Sequence, residues 1–220
     1  MALNSQQRAL ALGVWRAYAA GGERFINASM EFTHLELDQR RREVIPEVRG
    51  WLDRFLADEV PLEEFKTAVD GINKRNRLWG FRGINGQMFF NVLTKTSATS
   101  GNVAQFTQLL KKCLPRPMGV NEACERITEF RELTRSLAKY SADPRGAPKV
   151  GSIPFFLSYF WQIQAPQEYP IYYTSMVEVL GEKGIWSPSG DVALDYKRYM
   201  ELNADLKALF REDSGRDLNL

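Results

Sequence analysis

The stretch Ile153–Ile163 (IPFFLSYFWQI) constrains the fold of this 220-residue chain more than any other. Wound as a helix it places apolar or aromatic side chains on almost every side, so it has to be buried on most of its surface. At eleven residues it is far short of the ~18 needed to span a bilayer. It therefore requires a shell of other elements around it, and amphipathic helices are what the rest of the chain offers. Ser5 is placed to cap a helix to about Ala20 with Leu10, Val14, Trp15 and Tyr18 as its stripe, stopped by Gly21-Gly22. Phe25–Arg42 reads as a second helix, and Pro46 opens a third with Val48, Trp51, Leu52 and Phe55 on one face. Pro61 opens a fourth through Phe65, Val69 and Ile72. After a glycine-rich turn the helical pattern resumes over Gln87–Leu93, and the small, polar Thr94–Asn102 reads as a loop. Asn102 heads Val103–Leu114, which Pro115 and Pro117 close. Asn121–Tyr140 is a long amphipathic helix, and Asp191 to about Arg211 the last one.

Period-2 alternation is scarce, and no Asn-Gly or Asp-Gly turn joins strand-like runs. The expected fold is all-α, with about ten helices. Ser141–Pro148 (SADPRGAP) is the most linker-like stretch. It divides 1–140 from 149–212, which pack as one compact unit or as two helical subdomains.

Composition excludes several classes. Thirteen Phe, eight Tyr and five Trp, with 44% hydrophobic residues, are too many for a disordered chain. Met1–Arg8 lacks the apolar core of a secretion signal, so cytoplasmic residence is the expectation. Cys113 and Cys124 form no CxxC pair and His34 is the one histidine, too few ligands for a zinc site. Both cysteines read as small core residues. No metal, cofactor or catalytic constellation is expected. Paired acids such as Glu63-Glu64 and Glu178/Glu182 read as solvated helix faces, and so does the run Arg40–Arg42, at a helix end favoured by the dipole.

Charge is distributed unevenly. From Gly71 to Gly119 there are eight basic residues (Lys74, Arg75, Arg77, Arg82, Lys95, Lys111, Lys112, Arg116) and no Asp or Glu, leaving 21 basic against 27 acidic residues elsewhere. Such asymmetry speaks to partners rather than to fold, and an anionic partner is the reading it favours.

Within this segment lies Phe81-Arg82-Gly83-Ile84-Asn85-Gly86-Gln87-Met88-Phe89-Phe90. Its form, apolar-x-Gly-Ile-x-Gly followed by a helix, resembles the helix-hairpin-helix motif of DNA-binding proteins. The resemblance implies that Ile84 plugs between the two helices. It further implies that the glycines bring a phosphate close to the backbone, at a helix N-terminus whose free N–H groups favour an anion. Family members usually carry a basic residue after the second glycine. Here Gln87 and Met88 stand there, so the cations are expected from Arg82 and the Lys74–Arg77 cluster. A glycine-rich turn with Trp79 and Phe81 as core is the competing reading. Helix-hairpin-helix glycosylases place a catalytic Asp after the hairpin, but no acid follows Gly86 before Glu122. Base-processing activity is thus the weaker alternative.

A second stretch runs from Val150-Gly151-Ser152-Ile153-Pro154 to Glu168-Tyr169-Pro170-Ile171-Tyr172-Tyr173-Thr174-Ser175. Together with LWGFRGINGQMFFN it is similar to the helical N-terminal domains of McrB-like AAA+ restriction proteins, over most of Leu78–Leu180. That resemblance implies a DNA-sensing role, directed often at modified DNA, in a restriction or antiphage system. Its partners would be an AAA+ ATPase domain and a nuclease subunit. The chain has no Walker motif, so the motor would lie on a further C-terminal part or another polypeptide. Trp161, Tyr172 and Tyr173, with Tyr169 and Trp186, are candidates to stack a flipped base; a buried aromatic core is the alternative.

The expectation is a DNA-binding accessory domain, not an enzyme. Phosphates would be contacted by Lys74, Arg75, Arg77, Arg82, Gly83, Asn85, Gly86 and Gln87, with Lys111 and Lys112 extending the track. About four neutralised phosphates imply a slope of log K against log salt near −3 to −4. The alternative from another class is a protein-interaction or oligomerisation domain with a basic docking face.

Overall fold

A computed structural model describes residues 3–22, 24–27, 30–141 and 143–216. The fold is all-α apart from one short hairpin. Nine α-helices are found among the described residues: α1 Ser5–Ala20, α2 His34–Leu56, α3 Leu62–Asn76, α4 Phe89–Thr99, α5 Val103–Cys113, α6 Val120–Ala138, α7 Ile153–Gln164, α8 Thr174–Glu182 and α9 Val192–Ser214. A π-helical turn, Ile84–Met88, leads into α4, and two 3-10 turns, Pro144–Gly146 and Val150–Ser152, precede α7. No described helix is long and apolar enough to cross a membrane.

The all-apolar stretch is the centre of the fold. Every residue from Ile153 to Ile163 is buried. Phe156 of α7 meets Phe89 and Phe90 of α4 at 5.5 and 5.2 Å and Phe130 of α6 at 5.8 Å. Phe160 reaches Phe65 of α3 at 5.9 Å, and Trp161 faces Tyr196 of α9 at 5.4 Å. Helices from both sides of Ser141–Pro148 thus contribute to one continuous core, with α6 packed on both α7 and α9.

Several expectations need correction. Phe25–Arg42 is not one helix. Arg24–Asn27 (β1) pairs antiparallel with Met30–Thr33 (β2), Phe25 opposite Phe32, and helix begins only at His34. Pro46 does not open a helix but lies inside α2. A mid-helix proline costs about 3 kcal/mol; full burial of Val48, Leu52 and Phe55 beyond it offsets that locally. Thr94–Thr99 is the second half of α4 rather than loop. The hydroxyls of Thr94, Thr96 and Thr99 donate to the carbonyls of Phe90, Val92 and Lys95, four residues back, so these side chains are satisfied without leaving the helix. Asn4, not Ser5, caps α1, in a reciprocal capping box with Gln7. Leu10 and Val14, expected in the buried stripe, are exposed. α1 rests on α9 along a narrow edge, where Trp15 stacks on Phe210 at 5.0 Å and Arg8 and Arg16 pair with Glu212 and Asp213.

Candidate nucleic-acid interface

The acid-free segment begins in the last turns of α3. Asn73 is buried; its side-chain amide donates to the Val69 carbonyl at 2.9 Å and to the Tyr159 hydroxyl at 2.8 Å, tying α3 to α7. α3 ends at Arg77, whose backbone is left-handed (φ 56°, ψ 29°) and whose N–H donates to the Asn73 carbonyl. Glycine or asparagine is the usual residue in this cap.

Leu78–Phe81 then runs as a strap across α7, with the side chains of Leu78, Trp79 and Phe81 buried. Trp79 sits edge-on to Tyr159 at 5.8 Å, and Phe81 lies 4.3 Å from Tyr159 and 6.0–6.5 Å from Phe155, Phe156 and Phe160. Arg41 of α2 clamps the strap from the other side. Its guanidinium donates to the Leu78 carbonyl at 2.9 and 3.1 Å and to the Tyr173 hydroxyl at 3.5 Å, with Asp38 3.7 Å away. Arg41 is therefore an internal fastener, not part of a solvated charge run.

Gly80 (φ 65°) turns the chain outward, and Arg82, Gly83 and Ile84 are exposed. The π-helical turn brings it back. Its second glycine, Gly86, is buried so tightly against Phe81 that an added Cβ would lie 2.8 Å from the Phe81 carbonyl carbon and 2.9 Å from its Cα. This glycine makes room for protein backbone rather than for a phosphate.

The amide groups tell the same story. Gly86 N–H donates to Gly83 O at 3.3 Å, Gln87 N–H to Phe81 O at 2.6 Å and Met88 N–H to Gly83 O at 3.3 Å. The two glycine-adjacent donors that a helix-hairpin-helix would offer a phosphate are consumed within the turn. Among the described residues, the Ile84 and Asn85 amides have no backbone acceptor.

Two further implications of the hairpin resemblance are overturned. Ile84 does not plug between helices, being 64% exposed; the buried side chains of this segment are Trp79 and Phe81, packed on α7. The flanking helices are not a packed pair either. α3 packs chiefly on α2 and α4 on α5 and α6, and α3 and α4 meet where Phe65 approaches Phe90 at 6.3 Å. The Asn85 side chain is also committed to the fold. It accepts from the Ser152 hydroxyl at 2.8 Å and lies 3.3 Å from the Thr174 hydroxyl, joining the starts of α7 and α8 to the turn.

The eight cations divide into two sets. Four meet acids that other elements supply. Arg75 pairs with Glu47 at 2.7 Å, Lys111 with Asp58, Lys112 with Glu129 at 2.7 Å and Arg116 with Glu168 at 3.4 Å. Lys111 is in addition mostly shielded, its ammonium 5.3 Å over the Phe55 ring. Among the described residues, Lys74, Arg77, Arg82 and Lys95 meet no acid, and all are exposed. Lys74, Arg77 and Arg82 lie within nine residues around the rigid turn. Behind them, α2 and the end of α3 border a cleft of about 420 Å³ lined by Glu36, Arg40, Glu43, Arg75 and Asn76 among others. Its mixed charge makes it a poor seat for a phosphate.

Of the aromatic candidates for base stacking, Trp161, Tyr169 and Tyr172 are buried core, while Tyr173 and Trp186 are half-buried and packed against it. Trp161 is fully buried and its indole N–H donates to the Cys113 carbonyl at 2.9 Å. Tyr172 is buried against Tyr199 at 5.0 Å, and burial pushes its phenol up to about 12. Tyr173 is half-buried, packed on Phe155 at 5.6 Å and held by Arg41. Tyr169 is buried, its hydroxyl donating to the Pro117 carbonyl at 2.7 Å. The buried rings among them have no free face for a base. Cys113 is buried too, its thiol pushed up to about 12, and Cys124 is raised by burial, so neither is an activated nucleophile.

Compared with family models, with curated proteins and with solved structures, the chain has no significant match to any of the three.

Proposed function

We propose that this chain is a DNA-binding accessory module. It contacts the phosphate backbone through Lys74, Arg77 and Arg82, arrayed around the turn that follows α3. The carrying observation is the set of three exposed cations that meet no acid among the described residues, flanking a strap whose Leu78, Trp79 and Phe81 side chains are buried in the core. The Ile84 and Asn85 amides, without a backbone acceptor among the described residues, add two donors beside it. Arg75, exposed but paired with Glu47, is a reserve. Lys111 and Lys112, with their carboxylate partners, are given no part in the contact.

The resemblance of most of Leu78–Leu180 to the N-terminal regions of McrB-like restriction proteins favours a place in a restriction or antiphage system, beside an AAA+ motor and a nuclease. Recognition of a modified base has lost its candidate cage to the core, so the reading is one of backbone contact.

The test is fluorescence anisotropy with a heterologous DNA duplex at low salt, alongside size-exclusion chromatography. Binding by the wild-type chain, abolished in Arg77→Glu/Arg82→Glu with helicity unchanged, is the expected result. No binding at low salt, or indifference to the charge reversals, would refute it. An oligomer that the reversals dissociate would place the basic face in a protein interface instead.

A further inference from the structure

The resemblance to a hairpin motif sends Ile84 inward, yet it is 64% exposed, and Met88, one turn along, is 54% exposed. Residues four apart on a helical turn are neighbours, so the two form one apolar projection. Isolated exposed apolar residues are ordinary on protein surfaces. This pair differs from Leu10 and Val14 on α1, whose nearby Arg8 and Arg16 are paired with Glu212 and Asp213. Ile84 and Met88 come shortly after Arg82, which meets no acid among the described residues, and Lys74 and Arg77 stand a few residues before it.

The projection is also rigid. It stands on a π-helical turn, a rare geometry found often at functional sites. Gly86 is wedged against Phe81, Gln87 N–H is bonded to the Phe81 carbonyl, and Asn85 is held by Ser152 and Thr174. A side chain that parts stacked bases needs such a base, because a compliant loop would yield before the stack did.

We propose that Ile84 and Met88 act as an apolar wedge inserted between neighbouring base pairs of a DNA duplex, while Arg82, Arg77 and Lys74 hold the flanking phosphates. The inference rests on the DNA-binding reading and goes further, to the mode of contact. Apolar wedges flanked by cations unstack a base step and kink the duplex. They enter where stacking is weakest, at pyrimidine–purine steps or beside a mismatch. The favoured partner is thus easily unstacked duplex DNA. Charge favours nucleic acid over a protein: Lys74, Arg77 and Arg82, close to the wedge in sequence, meet no acid among the described residues and complement a polyanion.

The experiment uses the full 220-residue chain and a short duplex carrying 2-aminopurine at a central TA step, in fully paired and mismatched forms. The wild type is expected to raise 2-aminopurine emission on binding. It is further expected to prefer the mismatched duplex by about tenfold, since the mismatch supplies part of the few kcal/mol of unstacking. Ile84→Ala/Met88→Ala, both at exposed positions, is expected to keep the wild-type circular dichroism and salt dependence while losing the emission rise and the mismatch preference. Wild-type binding with no rise in emission and no preference overturns the wedge and leaves the DNA-binding reading standing. An unchanged rise in the double alanine variant overturns the assignment to these residues. Absence of DNA binding by the wild type removes both readings. A size-exclusion shift that the double alanine variant abolishes would make a second copy of the chain the occupant, and would likewise overturn the wedge.

Discussion

Gly86→Ala tests the rigidity of the turn most directly. The new methyl would lie 2.8 Å from the Phe81 carbonyl carbon, 2.9 Å from its Cα and nearer still to its oxygen, all backbone atoms. Rotation of a side chain cannot relieve this clash. One route lifts Phe81, whose ring is packed 4.3 Å from Tyr159 with three phenylalanines around it, and costs about 1–3 kcal/mol as overpacking. The other moves the π-helical turn away and breaks the 2.6 Å bond from Gln87 N–H to Phe81 O, costing about 0.5–1.5 kcal/mol more. A total of about 2–4 kcal/mol follows if both routes are partly taken, which is a fall in Tm on the order of 5–15 °C for a chain of this size. Gly83→Ala is the control: its methyl would meet only Gly80 O, at 3.3 Å, and should cost under about 1 kcal/mol. Urea unfolding of the two variants at pH 7 gives both values. If Gly86→Ala were no less stable than Gly83→Ala, the turn would be compliant, and the argument for a rigid wedge would fall with it.

Other substitutions probe the neighbouring features. Arg77→Gly relieves a left-handed arginine and should stabilise the fold by about 0.5–1 kcal/mol after glycine's entropy cost, while weakening DNA binding; loss of stability in urea would sink the idea that Arg77 is kept for its side chain. Cys124 should label before Cys113 with a thiol reagent at pH 8, because burial holds the Cys113 thiol protonated up to about 12; Cys113 should react only at the rate of global unfolding. Asp191 caps α9 through the Ala193 and Leu194 amides, which hold its carboxyl below the usual range with help from Arg131. A depressed native value means stabilisation that is complete above the unfolded-state pKa and lost as pH falls through the native one. Asp191→Ala should therefore cost about 1 kcal/mol at pH 7 and flatten the acid limb of a stability–pH curve, whereas Asp191→Asn keeps the cap and loses the pH dependence alone.

What the sequence disclosed and what it hid follow from the range of the interactions. The buried α7, the breaks at Pro61 and Pro115 and the stripes of α3, α5 and α6 depend on spacing within one element, and spacing is visible in a sequence. The β1–β2 hairpin was hidden because each strand has only four residues, too few for alternation to register. Pro46 inside α2 and the threonine-rich end of α4 are cases where tertiary packing and back-bonded hydroxyls outweigh local preference. At the site, the cations and the turn were legible, but not the direction in which Ile84 points or the role of Gly86. Those depend on Phe81 being drawn into the core by α7, seventy residues downstream. Arg41 gave no local signal at all, since the carbonyl it fastens is 37 residues away.

A segment free of acid in sequence is not free of acid in space, and salt dependence measures the difference. Lys111, Lys112, Arg116 and Arg75 each stand beside a carboxylate from another element, so a phosphate approaching any of them also meets an anion. Exposed ion pairs are weak, about 0–1 kcal/mol, so exchange of a carboxylate for a phosphate is not barred energetically. The geometry still opposes it, since the displaced carboxylate remains tethered within a few ångströms of the incoming phosphate. Counterion release counts only phosphates that are neutralised. If Lys74, Arg77 and Arg82 alone take part, log K should fall against log salt with a slope of about −2.7; enlisting all four paired cations as well would steepen it to about −6. Lys112→Ala should then leave the slope unchanged, whereas Arg82→Ala should make it shallower by about one. A slope near −6, or one that Lys112→Ala reduces, would mean that DNA runs along α5 and that the acids paired there swing aside on binding.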